Sequence, residues 1–315
     1  MNNVDDGIEI WGGTVELKYV NIWNIGDDSF DVDEGWRGSA QYGLIVQGYS
    51  IDAKQGSGFG DNCFETDGAE DSDAQPVTTA RISNFTVIGQ PVQGDGATTW
   101  RDNARVQYDN MLFVDIGEKL VRFDGDDGDG ASGYGYNGTL SWADTWTTPA
   151  GTRSTVNAGN NAAVYDPYDR QDPAGYLAQI SNSISYNYFT AAGVPNYSGT
   201  DYAEANARGW NDAANNNVTQ PATSPITSIT REAVFTNTAE GKDFYNVDVL
   251  DPMPAAGITA GGFKSHNWLT GWTAADEFGK IVPSSSIYPM GDVNGDCAVD
   301  LGDIQTVTEN WLEGA

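Results

Sequence analysis

Short runs of alternating apolar and polar residues recur along the chain. The clearest is residues 14–22, where Val15, Leu17, Val20 and Ile22 stand among polar neighbours. A period of two is typical of a β-strand that has one face in a core. Similar patterns at residues 80–89, 180–189 and 244–250 predict further strands.

These patterns also repeat at a fixed distance. The sequence Asp-Asp-Gly-Ile-Glu-Ile of residues 5–10 returns 22 residues later as Asp-Asp-Ser-Phe-Asp-Val. Residues 15–32 also align without gaps on residues 106–123. Three short strands and three turns use about 22 residues, which is one turn of a parallel β-helix. We therefore predict an all-β fold, a right-handed parallel β-helix (solenoid); an antiparallel β-sandwich is the alternative.

The pattern divides the chain into three parts. Residues 1–282 form the predicted β-helix domain, with an irregular insertion at about 124–232 that is rich in Gly, Asn, Thr and Pro. Such a long loop either builds the wall of a groove or decorates the surface. Residues 283–290 read as a linker, and residues 291–315 read as a separate C-terminal unit.

The C-terminal unit has the oxygen spacing of a calcium-binding loop. Acidic or amide side chains fill positions 1, 3, 5, 9 and 12, and a main-chain carbonyl is available at position 7. An amphipathic helix is predicted to follow, with its positive N-terminus near the last acid. The sequence thus predicts bound Ca²⁺, and the ligand residues are Asp292, Asn294, Asp296, Ala298, Asp300 and Asp303.

Residues 291–300, followed by Asp303 and Ile304, resemble a dockerin type I repeat. The resemblance implies a cohesin-like or cell-surface partner. The chain carries one such repeat and has Cys297 where the loop normally has glycine, which favours positive φ. These departures fit a truncated dockerin or a sorting tail.

Charge and composition exclude several functions. With 45 acidic and 15 basic residues, the net charge of −30 disfavours nucleic acid as a partner. No run of 18 apolar residues predicts a membrane span. His266 is the single histidine, which argues against histidine metal sites and catalytic triads. The acids serve either solubility or calcium binding.

The patterned segment begins within the first ten residues. We expect that a signal peptide and earlier coils precede residue 1, and that the protein is secreted or lies at the cell surface.

The body of the chain resembles secreted bacterial β-helix proteins of the pectate-lyase-like superfamily. The matching segments are residues 5–15, 27–38, 60–68, 251–257 and 267–273. The resemblance does not itself imply an activity. We expect a calcium-binding protein that contacts polysaccharide or a surface partner without catalysing a reaction.

Two turns also resemble polygalacturonase-like glycoside hydrolases, which carry Asn-Thr-Asp-Gly and then Gly-Asp-Asp. Here residues 4–7 are Val-Asp-Asp-Gly and residues 26–28 are Gly-Asp-Asp. The resemblance implies that Asp6, Asp27 and Asp28 are catalytic carboxylates of an inverting hydrolase. The family's Gly-His-Gly and Arg-Ile-Lys are missing. Stacked aspartates at turns can instead accept backbone N–H bonds or bind Ca²⁺.

Two other functions stay open. A polysaccharide lyase would use Ca²⁺ and an arginine base, for which the candidates are Arg37, Arg101, Arg105 and Arg122. Glu65 and Asp67, with Glu70, Asp71 and Asp73, form either a calcium site or a solvated loop. A structural surface or filament subunit would self-assemble through uncapped solenoid ends.

Overall fold

Strands dominate this protein, and most of them pair in parallel. The structure is a computed structural model that describes residues 3–33, 35–48, 60–68, 78–91, 96–102, 104–123, 142–152, 170–189, 209–237, 242–264, 266–283 and 301–313. The predicted all-β class is confirmed in these residues.

The first sheet has five parallel strands, and neighbours in the sheet are not consecutive in the chain. Ile8 pairs with Phe30, and Phe30 pairs with Phe64. The 22-residue repeat found in the sequence is therefore the register of the first two strands. In spatial order these are β1 (Ile8–Trp11), β3 (Phe30–Asp33), β5 (Phe64–Thr66), β7 (Thr98–Trp100) and β10 (Val121–Phe123).

The second sheet is also parallel, and from residue 8 to residue 109 the chain alternates between the two sheets, so that each passage there forms one coil. Ile22 pairs with Ile45, and Val87 pairs with Phe113, so these residues form one column across the sheet. The predicted alignment of residues 15–32 with 106–123 is thus a structural equivalence. The strands are β2 (Glu16–Trp23), β4 (Ser39–Val46), β6 (Thr79–Ile88), β8 (Arg105–Asp109), β9 (Leu112–Val114), β11 (Gln179–Ser181), β12 (Ile184–Tyr186) and β13 (Val218–Thr219).

The predicted insertion contains more order than its composition indicates. Strands β11, β12 and β13 lie inside it and extend the second sheet, with β11 on β8 and β12 on β9. These strands are only two or three residues long and lie among Ser and Asn, so their apolar alternation is short.

Apolar side chains fill the space between the two sheets. Phe30, Phe64, Phe85 and Phe113 are fully buried there. A second apolar cluster includes Leu44 and other residues on the opposite face of the second sheet. The strand predicted at residues 244–250 contributes to it, but as part of an antiparallel hairpin formed by β14 (Ile226–Asn237) and β15 (Lys242–Pro254). The second sheet is therefore covered on both faces, as parallel sheets usually are.

Helices are few among the described residues. They are α1 (Trp142–Thr145), α2 (Ala274–Glu277) and α3 (Leu301–Glu313), with 3₁₀ turns at Ala150–Thr152 and Ala213–Asn215. Helix α3 agrees with the predicted C-terminal helix, and Asp303 is buried in its first turn. The other predicted calcium ligands, Asp292, Asn294, Asp296, Ala298 and Asp300, lie outside the described residues. Calcium binding by that loop stays a prediction.

Candidate functional site

The outer face of the first sheet carries a stack of carboxylates. Along β1, Ile8 and Ile10 pack against the core, while Glu9 between them faces outward. The register then places Glu9 beside Asp31, and Asp31 beside Glu65. Because strand alternation is strict, stacking three coils in register aligns three acids at one level.

These acids and their neighbours at the turns before or after the strands form three overlapping groups, which we call the acidic ladder. In each group the carboxylate oxygens lie within 4.8 Å of one another. The groups are Asp5, Asp6 and Asp27; Asp6, Glu9 and Asp31; and Asp31, Glu65 and Asp67.

Burial makes the last group electrostatically costly. Asp31 is 7% exposed and Asp67 is 8% exposed. Burial, followed by repulsion from Glu65 and other acids, raises the pKa of Asp31 to about 8. Burial and Glu65 also raise the pKa of Asp67 well above its usual range, although Arg101 opposes this. A positive charge is therefore needed here if both groups are to be ionised at neutral pH.

Arg101 supplies part of that charge. One of its terminal nitrogens lies 3.2 Å from Glu65 and 3.3 Å from Asp67. Burial alone would lower the pKa of Arg101, but Asp67 and Glu65 raise it above its usual value. Arg101 thus stays protonated, which suits an ion-pair donor and opposes the predicted role of a lyase base.

Among the described residues, none donates a hydrogen bond to two buried oxygens of the ladder, Asp31 Oδ1 and Asp67 Oδ1. Buried carboxylates without donors are normally paired with a cation. Ca²⁺ binds six to eight oxygen ligands, and this donor set is made entirely of carboxylates. Asp31, Glu65 and Asp67 therefore fit a calcium ion as ligands.

Of the three predicted catalytic residues, Asp6 and Asp28 have structural contacts. Asp6 Oδ1 accepts a hydrogen bond from the backbone N–H of Asp28 at 3.0 Å, and Asp28 Oδ1 accepts one from Asn62 at 2.7 Å. Each carboxylate thus ties one coil to the next, which is the structural use that the sequence left open. Asp28 is only 5% exposed.

Asp6 and Asp27 do come together, in the group with Asp5. Burial, partly opposed by the bond from Asp28, raises the pKa of Asp6 to about 7, and burial also raises the pKa of Asp27. Their oxygens lie within 4.8 Å, whereas inverting glycosidases separate the two carboxyl groups by about 6.5–9.5 Å to admit water.

An aromatic side chain stands beside the ladder. Trp11 ends β1, is 64% exposed, and donates its indole N–H to Glu9 at 2.5 Å. By contrast, Trp23, Trp36 and Trp100 are buried. Trp11 therefore offers an open ring face next to the carboxylates.

Sequence reasoning identified Glu65, Asp67 and Arg101 but did not connect them with Asp31. Glu70, Asp71 and Asp73, which it grouped with them, lie outside the described residues. Asp31 and Glu65 are 34 positions apart, so the 22-residue period does not relate them. Asp31 lies in the recognised repeat at residues 27–32, whereas Glu65 lies in a three-residue strand that no sequence pattern predicted.

A family model described as a pectate-lyase like beta helix domain matches residues 1–211. The chain belongs to this family. Membership confirms the β-helix resemblance and indicates a polysaccharide-related function. The matched range ends before the dockerin-like residues, so that resemblance stays a prediction. Neither the curated proteins nor the solved structures gave a match. Within the described residues, every helix is too short or too polar to cross a membrane.

Proposed function

We propose that this pectate-lyase-like protein binds acidic polysaccharide on the outer face of the first sheet, through a calcium ion. The observation that carries the proposal is a trio of carboxylates in which two buried oxygens, Asp31 Oδ1 and Asp67 Oδ1, receive no hydrogen bond from the part of the chain that the structure describes. Bound calcium would neutralise the trio and attract sugar carboxylates to a surface that otherwise repels them.

Each residue at the proposed site has its own role. Asp31, Glu65 and Asp67 hold the ion. Arg101 stays charged and donates hydrogen bonds to a sugar carboxylate or hydroxyl. Trp11 stacks on a pyranose ring, because its face is exposed while its indole N–H is held by Glu9.

Calcium dependence fits an extracellular setting, so we propose that the protein is secreted or displayed at the cell surface. In this scheme the C-terminal loop binds a second calcium ion and attaches the protein to a surface or cohesin-like partner. Each ion has its own task, so variants can separate the two sites.

The test is calorimetric titration of Ca²⁺ into the intact protein, followed by titration of polygalacturonate with and without EDTA. Asp31→Asn and Glu65→Gln each remove one ladder ligand. Asp292→Ala and Asp296→Ala are matched variants for the C-terminal loop. We expect each pair to lose a different calcium site, because the two ligand sets share no residue.

Polygalacturonate binding should require Ca²⁺ and should disappear in Asp31→Asn and Glu65→Gln, while the loop variants keep it. Binding that persists in EDTA, or in both ladder variants, would show that the acidic ladder is not the site. Absence of any calcium heat that depends on Asp31 would refute the ion itself.

A second candidate, hydrolysis, is favoured by one observation. Asp6 is half-buried with a pKa of about 7, which suits a general acid, and Asp27 lies next to it. If so, Asp6→Asn and Asp27→Asn should each lower the release of reducing ends from polygalacturonate by about 10²–10⁴-fold. A wild-type protein that releases none would end this proposal without affecting the calcium-binding one.

A further inference from the structure

A column of left-handed backbone conformations marks the bend in the second sheet. The register places Tyr19 level with Tyr42, and Tyr42 level with Asn84. Asparagine tolerates this conformation, whereas a bulky residue rarely adopts it. The members are Tyr19 (φ 59°), Tyr42 (φ 59°), Asn84 (φ 57°), Asn110 (φ 57°), Asn182 (φ 52°) and Asn216 (φ 54°).

The asparagines in this column have structural hydrogen bonds. Asn110 Nδ2 donates to Asn84 Oδ1 at 2.6 Å, and Asn216 Nδ2 donates to Asn182 Oδ1 at 3.3 Å. Asn110 also binds the crossing chain, donating to the carbonyl of Thr259 at 2.9 Å. The asparagines therefore have a structural role at these positions, because their side chains connect neighbouring coils.

The two tyrosines do not form such a ladder of amides, yet they occupy the same strained positions. Residues held in sparsely populated conformations tend to cluster at binding sites, where the surrounding structure over-determines them. Tyr19 is also 45% exposed. Packing of the column therefore does not account for the choice of tyrosine.

The two tyrosines begin a row of four rings in which each ring contacts the next. We call this row the aromatic strip: Tyr42, Tyr19, Trp268 and Trp272. The ring centroids of Tyr42 and Tyr19 are 5.5 Å apart with an interplanar angle of 19°. Tyr19 and Trp268 meet edge to face, with centroids 5.5 Å apart and an interplanar angle of 63°, and Trp268 and Trp272 are 6.2 Å apart with an angle of 30°. Trp272 is 62% exposed.

Internal contacts fix these rings in place. Trp268 stacks on Phe263 at 5.2 Å and donates its indole N–H to the carbonyl of Gly262 at 2.9 Å. Trp272 donates its indole N–H to the carbonyl of Trp268. An exposed ring that is already ordered loses little conformational entropy when a ligand binds.

We propose that the aromatic strip is a second carbohydrate site, which takes the pyranose rings of a neutral polysaccharide. Sugar C–H faces pack on aromatic rings, and polar groups at the margin can bond hydroxyls. Those groups include the tyrosine hydroxyls, Lys264, whose Nζ lies 5.4 Å from the Tyr42 centroid, and Asp276 beside Trp272.

The character of the strip selects a neutral sugar chain over other ligands. The net charge of −30 disfavours an anionic chain wherever no cation is bound. The strip is one ring wide, and Trp268 in its middle is only 8% exposed. Stable protein interfaces bury about 800 Å² on each partner, more than such a strip presents. This site does not depend on the acidic ladder.

The test is titration of cellohexaose, xylohexaose and mannohexaose into the full chain in EDTA, followed by tryptophan fluorescence and calorimetry. EDTA removes Ca²⁺ from any calcium site. A lack of hexaose binding under these conditions would therefore not count against the proposed calcium-dependent function. We expect at least one hexaose to bind. Trp272→Ala should weaken that binding about tenfold, the size expected for one aromatic contact.

The sharper variant is Tyr19→Asn combined with Tyr42→Asn, which installs the residue that later coils carry at the same level. It should keep or raise the melting temperature, because asparagine suits the left-handed conformation, and it should weaken hexaose binding about tenfold. Phe278→Ala is the control, since this ring is 68% exposed but lies outside the strip. It should bind as wild type does.

Three outcomes would overturn the proposal. Wild type could bind none of the three hexaoses. The asparagine variant could melt lower while binding normally, which would make the tyrosines structural. Sedimentation could show a dimer that the asparagine and Trp272 variants abolish, which would make the strip an interface between copies of this chain.

Discussion

Asp31 lies in the acidic ladder, and one of its carboxylate oxygens accepts no hydrogen bond from any residue in the described ranges. Its pKa rises from 3.8 to about 8, mainly through burial and next through Glu65. Between those values the folded protein holds a proton that the unfolded chain releases. Stability should therefore fall as pH rises through this window when no divalent cation is present. Asp67 shifts in the same direction.

We predict that the melting temperature in EDTA decreases from pH 5 to pH 8.5, about the span that this shift covers. Asp31→Asn should melt higher than wild type at pH 8 and show a smaller slope, because it removes a buried charge. Added Ca²⁺ should flatten the wild-type slope but not that of the variant. Asp248→Asn, on the exposed side of the hairpin, is the control. A wild-type melting temperature that rises with pH in EDTA would contradict the electrostatics of the ladder.

At the scale of residues, the sequence predicted chemical types better than partners. It identified Glu65 and Asp67 as part of either a calcium site or a solvated loop, and Asp6, Asp27 and Asp28 as a repeated turn. The contact of Asp31 with Glu65 follows from a coil that is longer than the repeat suggests. The strain at Tyr19 and Tyr42 is a backbone property, and no side-chain pattern reveals it.

Among the elements, the β14–β15 hairpin is attached to the second sheet by a buried ion pair. Arg231 lies 2.9 Å from Asp115, and the two side chains are 2% and 0% exposed. Asp115 also accepts backbone N–H bonds from Tyr188 and Phe189 at 2.6 and 2.7 Å. One carboxylate thus joins the hairpin to two segments of the coils.

Breaking this pair should be costly, because it leaves a buried charge without a partner. Arg231→Ala should lower the free energy of unfolding by about 3–5 kcal/mol, measured in urea. Lys280→Ala provides the comparison, since Lys280 pairs with the half-exposed Glu232 and Asp248. Its loss should cost no more than about 1 kcal/mol. Similar losses from both substitutions would mean that the hairpin is held by its apolar contacts alone.

Strand positions were predictable because alternation is a local signal, as at residues 80–89, which become β6. The pairing of strands was not predictable, because each strand's partner depends on segments far apart in the chain. Residues 244–250 were correctly predicted as strand, but nothing in them distinguishes an antiparallel hairpin from another coil. Strands β11 and β12 were only partly predicted for a different reason: each has three residues, which are too few to show a clear alternating pattern.

For the whole molecule, the net charge of −30 sets how the protein responds to salt. Like charges repel in the compact state, and added ions screen that repulsion. We predict that the melting temperature in EDTA rises between 10 mM and 300 mM NaCl, over which the Debye length shrinks from about 30 Å at the lowest salt to below 10 Å. With Ca²⁺ present the rise should be smaller. A melting temperature that falls with salt would show that attractive ion pairs outweigh the repulsion.

At this scale the parallel stack was predictable from a single repeat, since Asp5 to Ile10 and Asp27 to Val32 already contain the register of β1 on β3. The apolar cover over the second sheet was not predictable, because it is built from residues 226–282, which carry no repeat of their own.

The coils differ in length although their strands stay in register. Paired residues step from 8 to 30, a distance of 22, then from 30 to 64 and from 64 to 98, each a distance of 34, and then from 98 to 121, a distance of 23. The sheets thus tolerate about a dozen extra residues per coil without any change in pairing. Natural selection can therefore change the length of the segments between strands while the paired framework stays constant. Related chains should diverge by insertion and deletion between strands far more than by substitution within them.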